Sequence, residues 1–438
     1  MSNLQDFHAG VAFRKLAALP PGLFKLSGMP RKVETRPNEQ ELRVEVLSFS
    51  CGEEIALVIT HDFLGNRRIP DMVSIREKVA VLLHCDPLRI LFSATHCHSS
   101  WPEPNPSESE EAKEARFNFE RHIEEAVIEA CVEAHQKMRP AEVGYRRVEL
   151  NGAISECRRT VISNGVALNS WGMGAVAPPG LKFVEKADEI DDSIDILFVR
   201  GQGEDQPFAA LMSYGSHIHL LPVPYVNGEL AGWVKEEMER RIPGLTALYS
   251  THAAGDVSLK WSEPPPTSGS EQEEWLWHNH LGRNHAKHFT DAVISGVRSV
   301  EYCNPRFILH ESDRWANSAG GNSFQSVYAL VMGDIALVNF KPELFNSYGI
   351  EIRNKSPFEK LILTGYNESD FPYVGSPINH EQGSYEMNKG IIPRSAAQEE
   401  EFINYGFPIN PARPEYGKET VVRILRLLEN IKQKMRSE

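Results

Sequence analysis

The chain has 438 residues, 41% of them hydrophobic, and a formal net charge of −14. That is ample apolar material for a large core. The acidic balance excludes a surface built to grip nucleic acid or an anionic membrane, which needs clustered basic side chains. No apolar run reaches the ~20 residues of a membrane helix, and the start, MSNLQDFHAGVAF, has no basic stretch leading into an apolar one, so no secretory signal is expected. Six cysteines (Cys51, Cys85, Cys97, Cys131, Cys157 and Cys303) are widely spaced with no C-x-x-C pair. Together these features predict reduced thiols in a cytoplasmic protein. Pro and Gly are scattered rather than gathered into a linker, which predicts one domain over residues 1–438.

In chain order, short apolar runs predict strands at Ile55–Ile59 and Leu88–Phe92. Residues 104–115 are polar and acidic and read as a loop entering a helix. Over 116–137 the apolar residues Phe119, Ile123, Val127, Ala130 and Ala134 recur at helical spacing. Further strands are predicted at Ile194–Val199, Phe208–Met212 and Leu245–Tyr249, then a helix over Glu271–Val297. Val327–Val331 and Ile335–Val338, split by Gly333-Asp334, read as a hairpin. A last helix runs from Glu419 through Ile424, Leu428 and Ile431. Strands and helices mix without strict alternation. The expected fold is therefore an α/β or α+β domain of layered mixed sheets flanked by helices.

The chemistry gathers where these strands end. They run into His61-Asp62, into His96-Cys97-His98-Ser99, into Ser216-His217-Ile218-His219, into His252 and Gly255-Asp256-Val257-Ser258, and into Lys341-Pro342-Glu343. Ligands of layered α/β proteins usually bind at that edge. In an extended His-x-His both imidazoles face one side, so both reach one ion; if the segment turns, only one does. Neutral imidazoles with a carboxylate such as Glu343 form a mixed N/O set suited to zinc. His278, His280, His285 and His288 fall on a predicted helix rich in Trp and Glu, and read as surface or packing residues.

Several of these motifs, in this order, resemble the neutral ceramidase family. The family's Thr-His-Thr-His-Ser is similar to Thr95-His96-Cys97-His98-Ser99, and its Gly-Asp-Val-Ser to Gly255-Asp256-Val257-Ser258. Lys341-Pro342-Glu343-Leu344-Phe345 looks like the family's Pro-Gly-Glu-Pro-Phe turn. Tyr373 stands 12 residues before Tyr385-Glu386, as in the family. The resemblance implies a zinc ion held by His96, His217, Glu343 and Tyr373, with His98 beside it and Ser258 as nucleophile or water-positioning group. It also implies that Arg158 and Tyr385 stabilise the carbonyl oxygen, and that the bond cleaved is an amide. After Glu386 too few residues remain for the family's C-terminal immunoglobulin-like domain. The family's His-Pro-Thr is here His217-Ile218-His219, and Leu259-Lys260-Trp261 follow Ser258 in place of Pro-Asn. These departures point to a smaller, soluble N-acyl substrate in place of ceramide, or to altered chemistry. The extra His219 opens an alternative: His98, His219, Asp62 and His252 as a second metal position, giving a dinuclear centre for hydrolysis or, with two irons, for oxygen chemistry.

Overall fold

The computed structural model describes residues 6–16, 20–24, 26, 40–65, 72–100, 109–169, 177, 179–220, 225–264, 266, 270–316, 324–367, 373–387 and 413–437. One mixed sheet contains β1 (Phe7–Lys15), β2 (Arg43–Cys51), β3 (Glu54–His61), β4 (Ile90–Ala94), β5 (Arg139–Glu149), β6 (Ser193–Gly201), β7 (Pro207–Tyr214) and β8 (Thr246–Thr251). Their spatial order is β8-β7-β6-β5-β1-β2-β3-β4, and the short strand Tyr302–Cys303 pairs with β5. Neighbours are antiparallel except β3/β4 and β7/β8. A second sheet has the order of β9 (Ile308–Ala316), β10 (Phe324–Met332), β11 (Ile335–Phe340) and β12 (Lys360–Thr364), with β11/β12 parallel. The predicted α/β layering with mixed sheets is the observed one.

The sheets pack face to face. Leu47, Val58, Leu91, Leu197, Leu211 and Leu248 of the first meet Ile308, Leu330, Leu337 and Ile362 of the second in one buried cluster. Such strands are apolar on both faces because helices cover the outer sides. α1 (Met72–Leu83) and α2 (Glu110–Gln136) pack over the β1–β4 half, while α3 (Glu229–Arg241) and α4 (Glu271–Val297) pack over the β5–β8 half. α5 (Asn346–Lys355) and α7 (Tyr416–Ser437) close the far side of the second sheet, and a short α6 (Pro377–Gln382) lies between them in the chain.

The helices follow from local sequence. Ser109 caps α2 by accepting from the Ala112 N–H at 3.2 Å, and Glu110 and Glu111 complement the helix dipole. The helix thus begins at Glu110, inside the stretch read as loop; residues 104–108 lie outside the described residues. Ala112, Phe119, Ile123, Ala126, Val127, Ala130 and Ala134 form its buried stripe. Gly10 lets α2 approach β1: a Cβ there would stand 2.1 Å from the Ala134 carbonyl oxygen. The strand predicted at Leu88–Phe92 starts at Ile90 instead. Asp86 and Pro87 form a 3-10 turn first, the Asp86 side chain accepting from the Leu88 N–H at 2.9 Å.

The C-terminal ends of β4, β8, β11 and β12 are tied together. Ser93 Oγ lies 2.7 Å from Ser250 Oγ and donates to the Gly365 carbonyl at 2.8 Å. Thr251 Oγ1 donates to the Thr95 carbonyl at 2.7 Å, and Asn339 Nδ2 donates to the Phe92 carbonyl at 3.1 Å. β4 and β8 are opposite edges of the first sheet. This buried polar knot draws the loops after four strands into one place.

Candidate metal centre and active site

His96, from the loop after β4, and His217, from the loop after β7, converge there. Their ring centroids are 4.7 Å apart and nearly perpendicular. His96 Nδ1 lies 2.6 Å from the Leu64 carbonyl, and His217 Nδ1 lies 2.8 Å from that of Ala254 and 3.1 Å from that of Val257. A carbonyl only accepts, so each Nδ1 carries the proton and each Nε2 keeps its lone pair. Both Nε2 atoms face Glu343 Oε2, at 3.6 Å from His96 and 3.5 Å from His217. Burial, then the charges of His98 for His96 and Arg158 for His217, push both imidazoles well below their usual pKa, so they are neutral.

Lone pairs converging in a largely buried site repel one another, and a cation among them relieves that repulsion. The spacing suits one. The edge of a tetrahedron with metal–ligand bonds of about 2.1 Å is about 3.4 Å. The carbonyl bonds to the far side of each ring are the outer contacts that orient metal-binding histidines. His98 belongs to the same group: ligand atoms of His96, His98 and His217 lie within 4.8 Å of one another. The donor set fits a divalent metal.

Short ribbons deliver the rest. Glu343–Leu344 pairs in parallel with Tyr373–Val374, and Glu343 is the register partner of Tyr373, which puts carboxylate and phenol on one side. Tyr373 stacks at 6.3 Å from His217 and edge-on at 5.9 Å from Tyr385, and the Arg158 guanidinium lies 5.3 Å over its ring. Val257–Leu259 pairs with Ser155–Cys157, Ser258 opposite Glu156, and the Arg158 N–H donates to the Asp256 carbonyl at 2.8 Å. Ser258 Oγ is buried and makes no hydrogen bond among the described residues. Arg158 is fully buried. It donates to Glu386 at 2.9 Å and to the Gly255 carbonyl at 2.8 Å.

The proposed second-site residues divide. His219 lies against His98, ring centroids 4.2 Å apart. Asp62 and His252 are not brought to them, which corrects that ligand set. Both Asp62 oxygens accept from the buried Lys235 ammonium, at 2.7 and 2.6 Å, and Glu45 accepts from it at 2.6 Å. Asp62 is thus spent on neutralising a buried lysine. His252 packs on Gly215, its Nδ1 accepting from the Ala253 N–H at 2.8 Å, and its electrostatic neighbours are Arg353, Asp191 and Arg147. On α4, His280 and His288 are exposed, while His278 and His285 are buried.

Four further residues, given no role by the sequence, support the site. Glu229 accepts from the His98 and Ser99 N–H groups at 3.1 and 3.2 Å and from Ser99 Oγ at 2.7 Å, holding the His96–Ser99 loop. Tyr366 stacks on His96. Arg159 and Glu386 extend the buried ion pairs around Arg158, at 3.3 Å from each other. A clue lies in the backbone: His96, Glu229 and Tyr366 all have left-handed φ, at 62°, 50° and 60°. Non-glycine residues held there cluster at functional sites. No sequence signal announces it.

Two solved structures share this fold. The neutral ceramidase from Pseudomonas aeruginosa matches with a TM-score of 0.63 and 12% identity over 87% of this chain and 71% of that one. A structure described as ceramidase complexed with C2 matches with a TM-score of 0.67 and 11% identity over 98% of this chain and 76% of that one. No family model and no curated protein matches the sequence. The chain thus has the neutral ceramidase fold, with a buried three-histidine group able to hold a metal ion.

Proposed function

We propose that the protein is a zinc-dependent hydrolase that cleaves the amide bond of an N-acyl substrate. The convergence of His96 Nε2, His217 Nε2 and Glu343 Oε2 within 3.5–3.6 Å carries this reading. The shared fold with ceramidases supports it. His96, His217 and Glu343 hold the ion, with Tyr373 as the fourth ligand. When bound, zinc supplies Lewis acidity toward a carbonyl and a water of lowered pKa.

The chain's own groups do the remaining work. Burial, then the charge of Arg158, push His98 down to about 3, so its imidazole is neutral and its buried Nε2 is open to a proton. Ser258 Oγ attacks the carbonyl or positions water for that attack. Arg158 and Tyr385 donate toward the carbonyl oxygen, the task of preorganised donors in a dry site. Glu386 and the Gly255 carbonyl fix the guanidinium for that task.

The test is to strip the metal, restore zinc and screen N-acyl amides of different head group and chain length. Activity is expected to need zinc and to vanish in His96→Ala, and Ser258→Ala is expected to lower turnover at unchanged zinc content. Full activity without metal, or in His96→Ala, refutes the proposal.

A further inference from the structure

Donors at this site outnumber the needs of one ion. A catalytic zinc takes four ligands, or five with a water or substrate bound, and His96, His217, Glu343 and Tyr373 supply the protein's share. His98 and His219 remain. Both point a ring nitrogen into the protein: His98 Nε2 and His219 Nδ1 are buried and have no hydrogen-bond partner among the described residues. Their rings approach more closely than those of His96 and His217, 4.2 against 4.7 Å between centroids. The rings meet at a tilt of 46°, and no hydrogen bond joins them among the described residues. The His98 backbone is held in place from outside by Glu229. Leaving such nitrogens dry and unbonded costs about 1–3 kcal/mol each, unless something binds them.

We infer that His98 and His219 form a second, weaker site for a divalent cation beside the first, and that filling it removes His98 from proton transfer. The inference rests on the metal-centred reading above. Two imidazoles suit zinc or a similar borderline metal, and with water completing the shell the site binds less tightly than one with four protein ligands. A ligand atom of His98 lies within 4.8 Å of those of His96 and His217, so the two ions would lie within a few ångströms of each other. A metal on His98 Nε2 occupies the lone pair that would take the proton. Excess zinc is then an inhibitor.

Titration of the metal-free protein with zinc, read by equilibrium dialysis and elemental analysis, tests this without a substrate. The wild type is expected to bind two ions per chain in two steps, and His219→Ala one ion in the tighter step. Turnover of the wild type is expected to fall as the second step fills. One ion per chain in the wild type at saturation overturns the inference, as does a second step that survives in His219→Ala or turnover that is indifferent to it. Absence of the first step would instead sink the proposed function, so the two failures are separable.

Discussion

Tyr366 lies flat against His96, ring centroids 4.2 Å apart and planes within 21°, and both residues carry left-handed backbone. The loop after β12 thereby clamps His96, from the loop after β4, in place. With the Leu64 carbonyl fixing Nδ1, the imidazole has one orientation, its Nε2 toward Glu343. Outer contacts of this kind typically change metal affinity about 10–100-fold. Tyr366→Ala is therefore expected to weaken zinc binding by about tenfold or more, measured by chelator competition, with the fold retained by circular dichroism. Unchanged affinity would show that the carbonyl alone orients the ring.

Glu386 anchors Arg158 and Arg159, and all three side chains are fully buried. Removing one member of a buried ion pair leaves uncompensated charge and costs about 3–5 kcal/mol. Glu386→Ala is expected to lower unfolding stability by about that amount in denaturant titration, and to lower turnover because Arg158 loses its bearing. A loss within about 0.5 kcal/mol, the range of ordinary surface changes, would refute the anchoring role.

Asp62 belongs to the buried Lys235–Glu45 network and not to the metal centre. Asp62→Asn is expected to destabilise the protein by about 3–5 kcal/mol, with zinc bound per folded chain unchanged. Loss of a metal ion in that variant would return Asp62 to the ligand list.

Acid should weaken the metal-free protein. Six buried imidazoles, His96, His98, His217, His219, His252 and His278, are held below their usual pKa, each first by burial. A lowered folded pKa gives stability that is present above the unfolded value of about 6.5 and lost as pH falls below it. Burial raises Glu45, Glu229 and Asp256 to about 7, which has the opposite sign: their contribution is present at low pH and lost as pH rises toward 7. The imidazoles outnumber the carboxylates, so unfolding takes up protons between pH 6.5 and 5. The urea midpoint of the metal-free protein is expected to fall over that interval. A midpoint that rises there would mean the carboxylates dominate.

The sequence alone determined the layered α/β class and most long elements. Apolar periodicity survives into burial: α4 spans Glu271–Val297 as predicted, and β10 and β11 meet in a hairpin at Gly333-Asp334. It also singled out His96, His98, His217 and Glu343, because each follows a core strand within a few residues and that offset is local. Asp62 and His252 satisfy the same local rule yet face other partners, since where a loop turns after its strand depends on what packs against it. Only the tertiary structure could assign Asp62 to Lys235, 173 positions away, or set Tyr366 on His96. Nor does chain order foretell that β4 and β8, opposite edges of one sheet, meet through Ser93 and Ser250. Those contacts arise from the way two sheets close around a shared core, a long-range property with no periodic trace in the chain.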